Sequence, residues 1–218
     1  MKIDCIFFAC LFGILLAGCS DKDDYEVVEK FALDKNNFAE IARQALGEQF
    51  EIDEIQKLEY IVSGRVNGKE FKKSFKAGNI APCSLHIHSG KVYIFALRGL
   101  LFYEPAQEKL EWIFKEEGYF LTPGFELYDF SSNKGRIYGL GHKPLSESFD
   151  WFAIDIDERN ISRHVANYGD MDKTDQIRLS KEDGEIIAET AIEKLQIIPL
   201  ENGGFEFVEL KQKRENKD

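Results

Sequence analysis

The chain has 218 residues, 44% hydrophobic and 31% charged, with 5 Pro, which is globular composition and excludes a disordered or proline-rich protein. Its net charge of −11 repels phosphate backbones and anionic lipid surfaces alike. Nucleic acid is therefore excluded as a partner, and so is membrane attachment through a basic patch.

Residues 5–18 read "CIFFACLFGILLAG" and carry no charge. A membrane-spanning helix needs about 20 apolar residues, so this run is short for a permanent anchor and suits a cleaved leader. The positive start is weak, since Asp4 offsets Lys2. The leader ends on Leu16-Ala17-Gly18-Cys19, a leucine and two small residues before a cysteine. This stretch resembles the lipobox of bacterial lipoproteins. The resemblance implies that residues 1–18 are a lipoprotein signal peptide, cut after Gly18. It also implies that the Cys19 thiol carries lipid (a palmitate-type anchor) and that the mature chain sits in the lipid bilayer of the cell envelope. Two or more acyl chains hold a protein stably, because each buried methylene contributes about 0.8 kcal/mol.

Residues 19–30 open with "CSDKDDYE" and read as an acidic, solvated tether. Ser20 stands where an aspartate often retains such lipoproteins in the inner membrane, so the resemblance favours the outer membrane, on its periplasmic or its surface face. Lys22-Asp23-Asp24 also resembles short surface-export signals. With Cys5 and Cys10 in the leader and Cys19 lipidated, Cys83 remains alone, which leaves no intramolecular disulfide and no cysteine-based zinc cluster.

The domain is expected over residues 31–210. Phe38, Ile41, Ala42, Ala45 and Leu46 follow helical spacing, with Asn37 and Glu40 as a capping pair and Gly47 as a stop, so one N-terminal α-helix is predicted. From about residue 52, strands dominate. Leu58, Tyr60 and Val62 alternate, and Asn67-Gly68 is a hairpin turn.

Three later stretches repeat one pattern of strand, polar turn ending in glycine, strand, variable loop and hairpin. Their marker glycines are Gly90, Gly135 and Gly184. A period of about 40–50 residues built from several strands is that of a propeller blade. "GKVYIFALRGLLFYEPAQEKLEW" supplies Gly90, Val92, Tyr93, Gly99 and Trp112, and resembles a blade of the pyrroloquinoline-quinone-type repeat. Glu104 and Glu108 replace that family's aspartate and turn glycine, and a single matching unit implies no cofactor. What the resemblance implies is a scaffold like the propeller lipoproteins that help assemble outer-membrane proteins. The predicted fold is mainly β: an antiparallel meander of blade-like units, forming a small or incomplete propeller or a sandwich or barrel. Residues 52–80 are the weak fourth unit, and residues 211–218 a charged tail.

Chemistry-bearing residues are sparse. His86 and His88 alternate on a strand, so their rings share a face, a spacing that can hold a metal but lacks a third ligand. His142 and His164 are isolated. Asp155 and Asp157 run into a turn, where acids are common. Asp170, Asp172 and Asp175 lack the glycine and terminal glutamate of a calcium loop. No phosphate-cradling loop, nucleophile elbow or zinc-protease helix is present. The sequence therefore assigns no catalytic, cofactor or metal residue. It points to a non-catalytic envelope lipoprotein that binds an envelope protein. One alternative is an immunity or inhibitor lipoprotein neutralising a basic toxin or lytic enzyme in the periplasm. The other is a metal-dependent hydrolase using His86 and His88.

Overall fold

The computed structural model describes residues 25–44, 58–131, 134–143, 148–167 and 177–210. The Leu16–Cys19 motif, the aspartates at 170, 172 and 175, and the tail at 211–218 lie outside these residues. The described chain is mainly β and folds as four successive antiparallel sheets. The first contains β1 (Tyr25–Asp34), β2 (Asn37–Gln44), β3 (Leu58–Val66) and β4 (Lys69–Ala77). The second contains β5 (Cys83–His88), β6 (Lys91–Ala96), β7 (Gly99–Glu104) and β8 (Lys109–Lys115). The third orders β10 (Leu127–Asp129), β11 (Arg136–His142), β12 (Phe149–Asp155) and β13 (Asn160–Val165), with β9 (Phe120–Leu121) pairing the end of β11. The fourth contains β14 (Arg178–Glu182), β15 (Glu185–Glu189), β16 (Lys194–Pro199) and β17 (Phe205–Glu209). Every sheet is an up-and-down meander in sequence order, as the blade-like repeat predicts.

The segment expected to be helical is strand β2. Ala39 and Ile41 point into the core, where they pair with Gly64 and Val62 of β3, while Glu40 and Ala42 point outward. Over eight residues, periods of 2 and 3.6 share enough positions to be confused, and the two flanking strands decide the outcome. Ala45, Leu46 and Gly47 lie outside the described residues. Asn37 is not a helix cap. Its side chain donates to Asp34 Oδ2 (3.2 Å) and accepts from the Asn67 backbone N–H (3.0 Å), tying the β1–β2 turn to the β3–β4 turn. The sheet also begins at Tyr25 rather than residue 31, so the presumed tether is strand β1 from that point. The fourth blade-like unit is thus built from residues 25–44 and 58–77, starting earlier than the 52–80 expected.

Three apolar clusters lie between successive sheets. Ile41, Tyr60 and Val62 pack against Leu85, Val92 and Ile94 between the first and second. Phe95 and Leu100 meet Ile137 and Phe152 between the second and third. Trp151 and Tyr138 meet Ile186, Leu195 and Ile197 between the third and fourth. This sandwiching explains the burial patterns. β6 sends Val92 and Ile94 one way and Tyr93 and Phe95 the other, so it reads as a continuous apolar run. β3 instead alternates, with Leu58, Tyr60 and Val62 buried and Glu59, Ile61 and Ser63 half-exposed. Among the described residues, no apolar cluster joins the first sheet to the fourth.

Asn67-Gly68 forms the predicted β3–β4 turn, both residues having positive φ (51° and 77°), as a type I′ turn requires. Gly90 and Gly184, also at positive φ, close the first hairpins of the second and fourth sheets. Gly99 (φ 144°) is needed for close approach, because a Cβ there would overlap the Phe114 carbonyl oxygen and press on Trp112. The Gly90, Val92, Tyr93, Gly99 and Trp112 set lies entirely within the second sheet and its turns.

Candidate functional site

The first strands of the four sheets, β1, β5, β10 and β14, touch side by side, and their contacts form the best-defined cluster of ring and charged groups. The β5 sequence Ser84-Leu85-His86-Ile87-His88 alternates, with Leu85 and Ile87 buried in the core. Ser84, His86 and His88 therefore project from the opposite face, as the sequence spacing predicts. His86 lies between Phe31 of β1 (ring centroids 5.2 Å) and Tyr128 of β10 (4.3 Å, planes 11° apart). His88 stacks on Phe130, with centroids 3.8 Å apart and planes 5° apart. Burial, reinforced by the neighbouring His88, depresses the His86 pKa to about 4, and burial also lowers that of His88. Both imidazoles are consequently neutral flat rings in an aromatic stack near pH 7. No group of three or more His, Cys, Asp or Glu able to hold a metal occurs among the described residues.

Polar links continue the cluster. Ser84 Oγ donates to Glu126, whose other oxygen accepts from the Gly124 N–H (2.7 Å). On the next strand Asp129, 8% exposed, accepts from Lys181 Nζ of β14 (2.9 Å) and from the Ser131 N–H (3.0 Å). Burial alone would raise the Asp129 pKa, but the Ser131 and Lys181 donors outweigh it and hold the carboxyl below its usual range. β10 thus points Tyr128 towards β5 and Asp129 towards β14. Asp129 also lines a cavity of about 150 Å³ between the third and fourth sheets, with Arg136 and Tyr138.

The remaining candidates separate. Asp155, 1% exposed, accepts from the backbone N–H groups of Asp157 (3.1 Å) and Glu158 (3.0 Å), and Asp157 accepts from the Gly135 N–H (3.1 Å). Asp155 therefore holds the β12–β13 turn, as turn acids do, and Asp157 ties that turn to the start of β11. His164 stacks on Phe207 and lies 3.4 Å from Glu193, and His142 packs against Phe120 and Phe149. Cys83 is a free, buried thiol whose pKa is pushed up to about 12 by burial, which makes it an inert core residue. Phe31, Tyr128, Phe130, Asp129 and Lys181 were not singled out by the sequence. Their only local signal is the alternation of Tyr128, Asp129 and Phe130, which does not say what they meet.

What the fold and cluster define is a propeller-like stack of four antiparallel sheets with an aromatic and ion-paired seam along its first strands. No protein-family model matches the chain, and no curated protein does. Among solved structures, an oligogalacturonate lyase in complex with manganese is similar over 78% of this chain and 49% of its own, at 9% sequence identity and a TM-score of 0.45. The chain spans about half the length of that enzyme, and the likeness carries no argument about activity.

Proposed function

We propose that the protein is a lipid-anchored, non-catalytic component of the bacterial cell envelope whose sheet stack binds another envelope protein. The observation that carries this reading is the Leu16-Ala17-Gly18-Cys19 motif at the end of an uncharged leader, with Ser20 favouring the outer membrane. The spacing agrees with it. Six residues after Cys19 the chain enters β1, so the folded part would start close to the bilayer surface. A rigid stack held by three apolar seams suits a binding scaffold, since binding surfaces need little reorganisation when their elements are fixed. His86 and His88, engaged with aromatic rings, do not favour the hydrolase alternative. The test is capture from detergent-solubilised envelope with the full chain as bait. A stoichiometric protein partner supports the reading, and its absence after in vivo cross-linking contradicts it.

The net charge of −11 favours one narrower version, in which the partner is a basic toxin or lytic enzyme drawn in by electrostatic steering. Deletion would then sensitise cells to sister cells, whereas unchanged survival would exclude this version.

A further inference from the structure

Among the described residues, the two middle sheets of the stack pack against neighbours on both faces, and the two end sheets on only one. On the first sheet the uncovered face carries Ala42, Ile61 and Ser63 at its centre, with Lys72 and Lys76 on edge strand β4. Its charged pairs Lys30–Glu40 (2.8 Å) and Arg65–Glu70 (2.6 Å) are already satisfied. On the fourth sheet the register Ser180–Ile187–Gln196–Val208 defines the uncovered face, with Ile198 opposite Glu206. Ile187 is the one residue of this face with under a tenth of its surface exposed. Glu182, Glu185, Glu189 and Glu206 surround these apolar residues, with Lys194 paired to Glu182 (3.6 Å) and Glu189 (4.0 Å) and Glu185 and Glu206 left as the outlying acids. The described part of the first sheet (25–44 and 58–77) holds eight basic and six acidic residues, net +2. Residues 177–210 of the fourth hold three basic and eight acidic, net −5. Among the described residues the two ends of one stack are therefore opposite in sign, and each presents half-exposed apolar side chains between charged residues, Ile61 on the first sheet and Ile198 and Val208 on the fourth.

We propose that these faces dock on each other between two copies of this chain, head to tail, the first sheet of each copy against the fourth sheet of the other. Charge complementarity selects this pairing, because first-on-first or fourth-on-fourth docking would bring like charge together. A head-to-tail contact either closes into a ring or runs on as a filament. Two copies of four sheets give eight, within the roughly 4–8 blades typical of closed propellers, so two copies suffice for closure. The inference is independent of the lipid anchor and of any envelope partner.

The test is sedimentation equilibrium of the full lipidated chain in density-matched detergent, over a concentration series. It uses wild type, Ile61→Asp on the first-sheet face and Ile198→Asp on the fourth-sheet face, with circular dichroism confirming that each variant is folded. Wild type is expected at twice the chain mass and each variant alone at the single mass. A mixture of the two variants should regain the double mass, since one retains an intact first-sheet face and the other an intact fourth-sheet face. Lys72→Glu, which leaves these apolar side chains alone, should weaken the dimer. A wild type of single mass at every concentration would make both faces solvated caps and overturn the proposal. So would a dimer untouched by both aspartates, or two variants that fail to complement each other.

Discussion

Replacing His86 by Phe keeps a flat ring between Phe31 and Tyr128 but removes the more deeply desolvated of the two imidazoles in the stack. The His86 pKa falls from an ordinary 6.5 to about 4 in the fold. Between these values the unfolded chain binds a proton that the folded chain rejects, so stability is full above pH 6.5 and declines as pH falls towards 4. For a fully shielded ring this gap corresponds to about 3 kcal/mol. His86 keeps part of its surface in water, which brings the expected loss to about 1–2 kcal/mol. Glu116 and Asp129 are held below the usual carboxylate range, so their stabilisation is present above that range and lost only below it. They leave the window from pH 7 to pH 5 to the histidines. Urea unfolding of wild type and His86→Phe at pH 7 and pH 5 measures the effect. The wild-type midpoint should drop more than that of the variant, by the equivalent of about 1–2 kcal/mol. Parallel pH dependences would refute the desolvated stack as the cause.

Gly99→Ala should destabilise the second sheet by roughly 2 kcal/mol or more, because a Cβ at φ 144° meets the Phe114 carbonyl; an unchanged melting temperature would show that β7 and β8 can separate there. Trp151→Ala, at a fully buried position between the third and fourth sheets, should cost about 3–5 kcal/mol in chemical denaturation. In the lipidated form proposed above, a thiol reagent should find no reactive cysteine in the native protein at pH 8 and one, Cys83, in denaturant, since burial pushes that thiol up to about 12. Rapid native labelling would mean that the seam between the first two sheets opens.

Features carried by local chemistry were legible in the sequence. Asn67-Gly68 fixes a turn through its own backbone preferences. Gly90 and Gly184 mark the first hairpins of two sheets because each closes a tight turn at positive φ, and Gly135 takes the equivalent place in the third. Alternation of Leu58, Tyr60 and Val62 marked β3 as a strand, and the structure shows that this alternation reflects one covered face and the apolar run of β6 two. What failed depended on partners distant in sequence. β2 took its conformation from β1 and β3, and its eight residues matched a helical period only by coincidence. The first sheet was placed too late in the chain because its opening residues, Tyr25–Lys30, look like tether and are half-exposed to exposed even when paired. His86 and His88 did share a face, but the rings they meet come from residues 31, 128 and 130, and no spacing within β5 predicts that.

The central claim is attachment through Cys19, and the most direct measurement is intact and peptide mass spectrometry of the protein purified from a bacterial envelope. The account predicts a mature chain beginning at Cys19 with a lipid on its sulfur, lost together with membrane association in Cys19→Ala. A mature chain with an unmodified Cys19, or one beginning elsewhere, would contradict it.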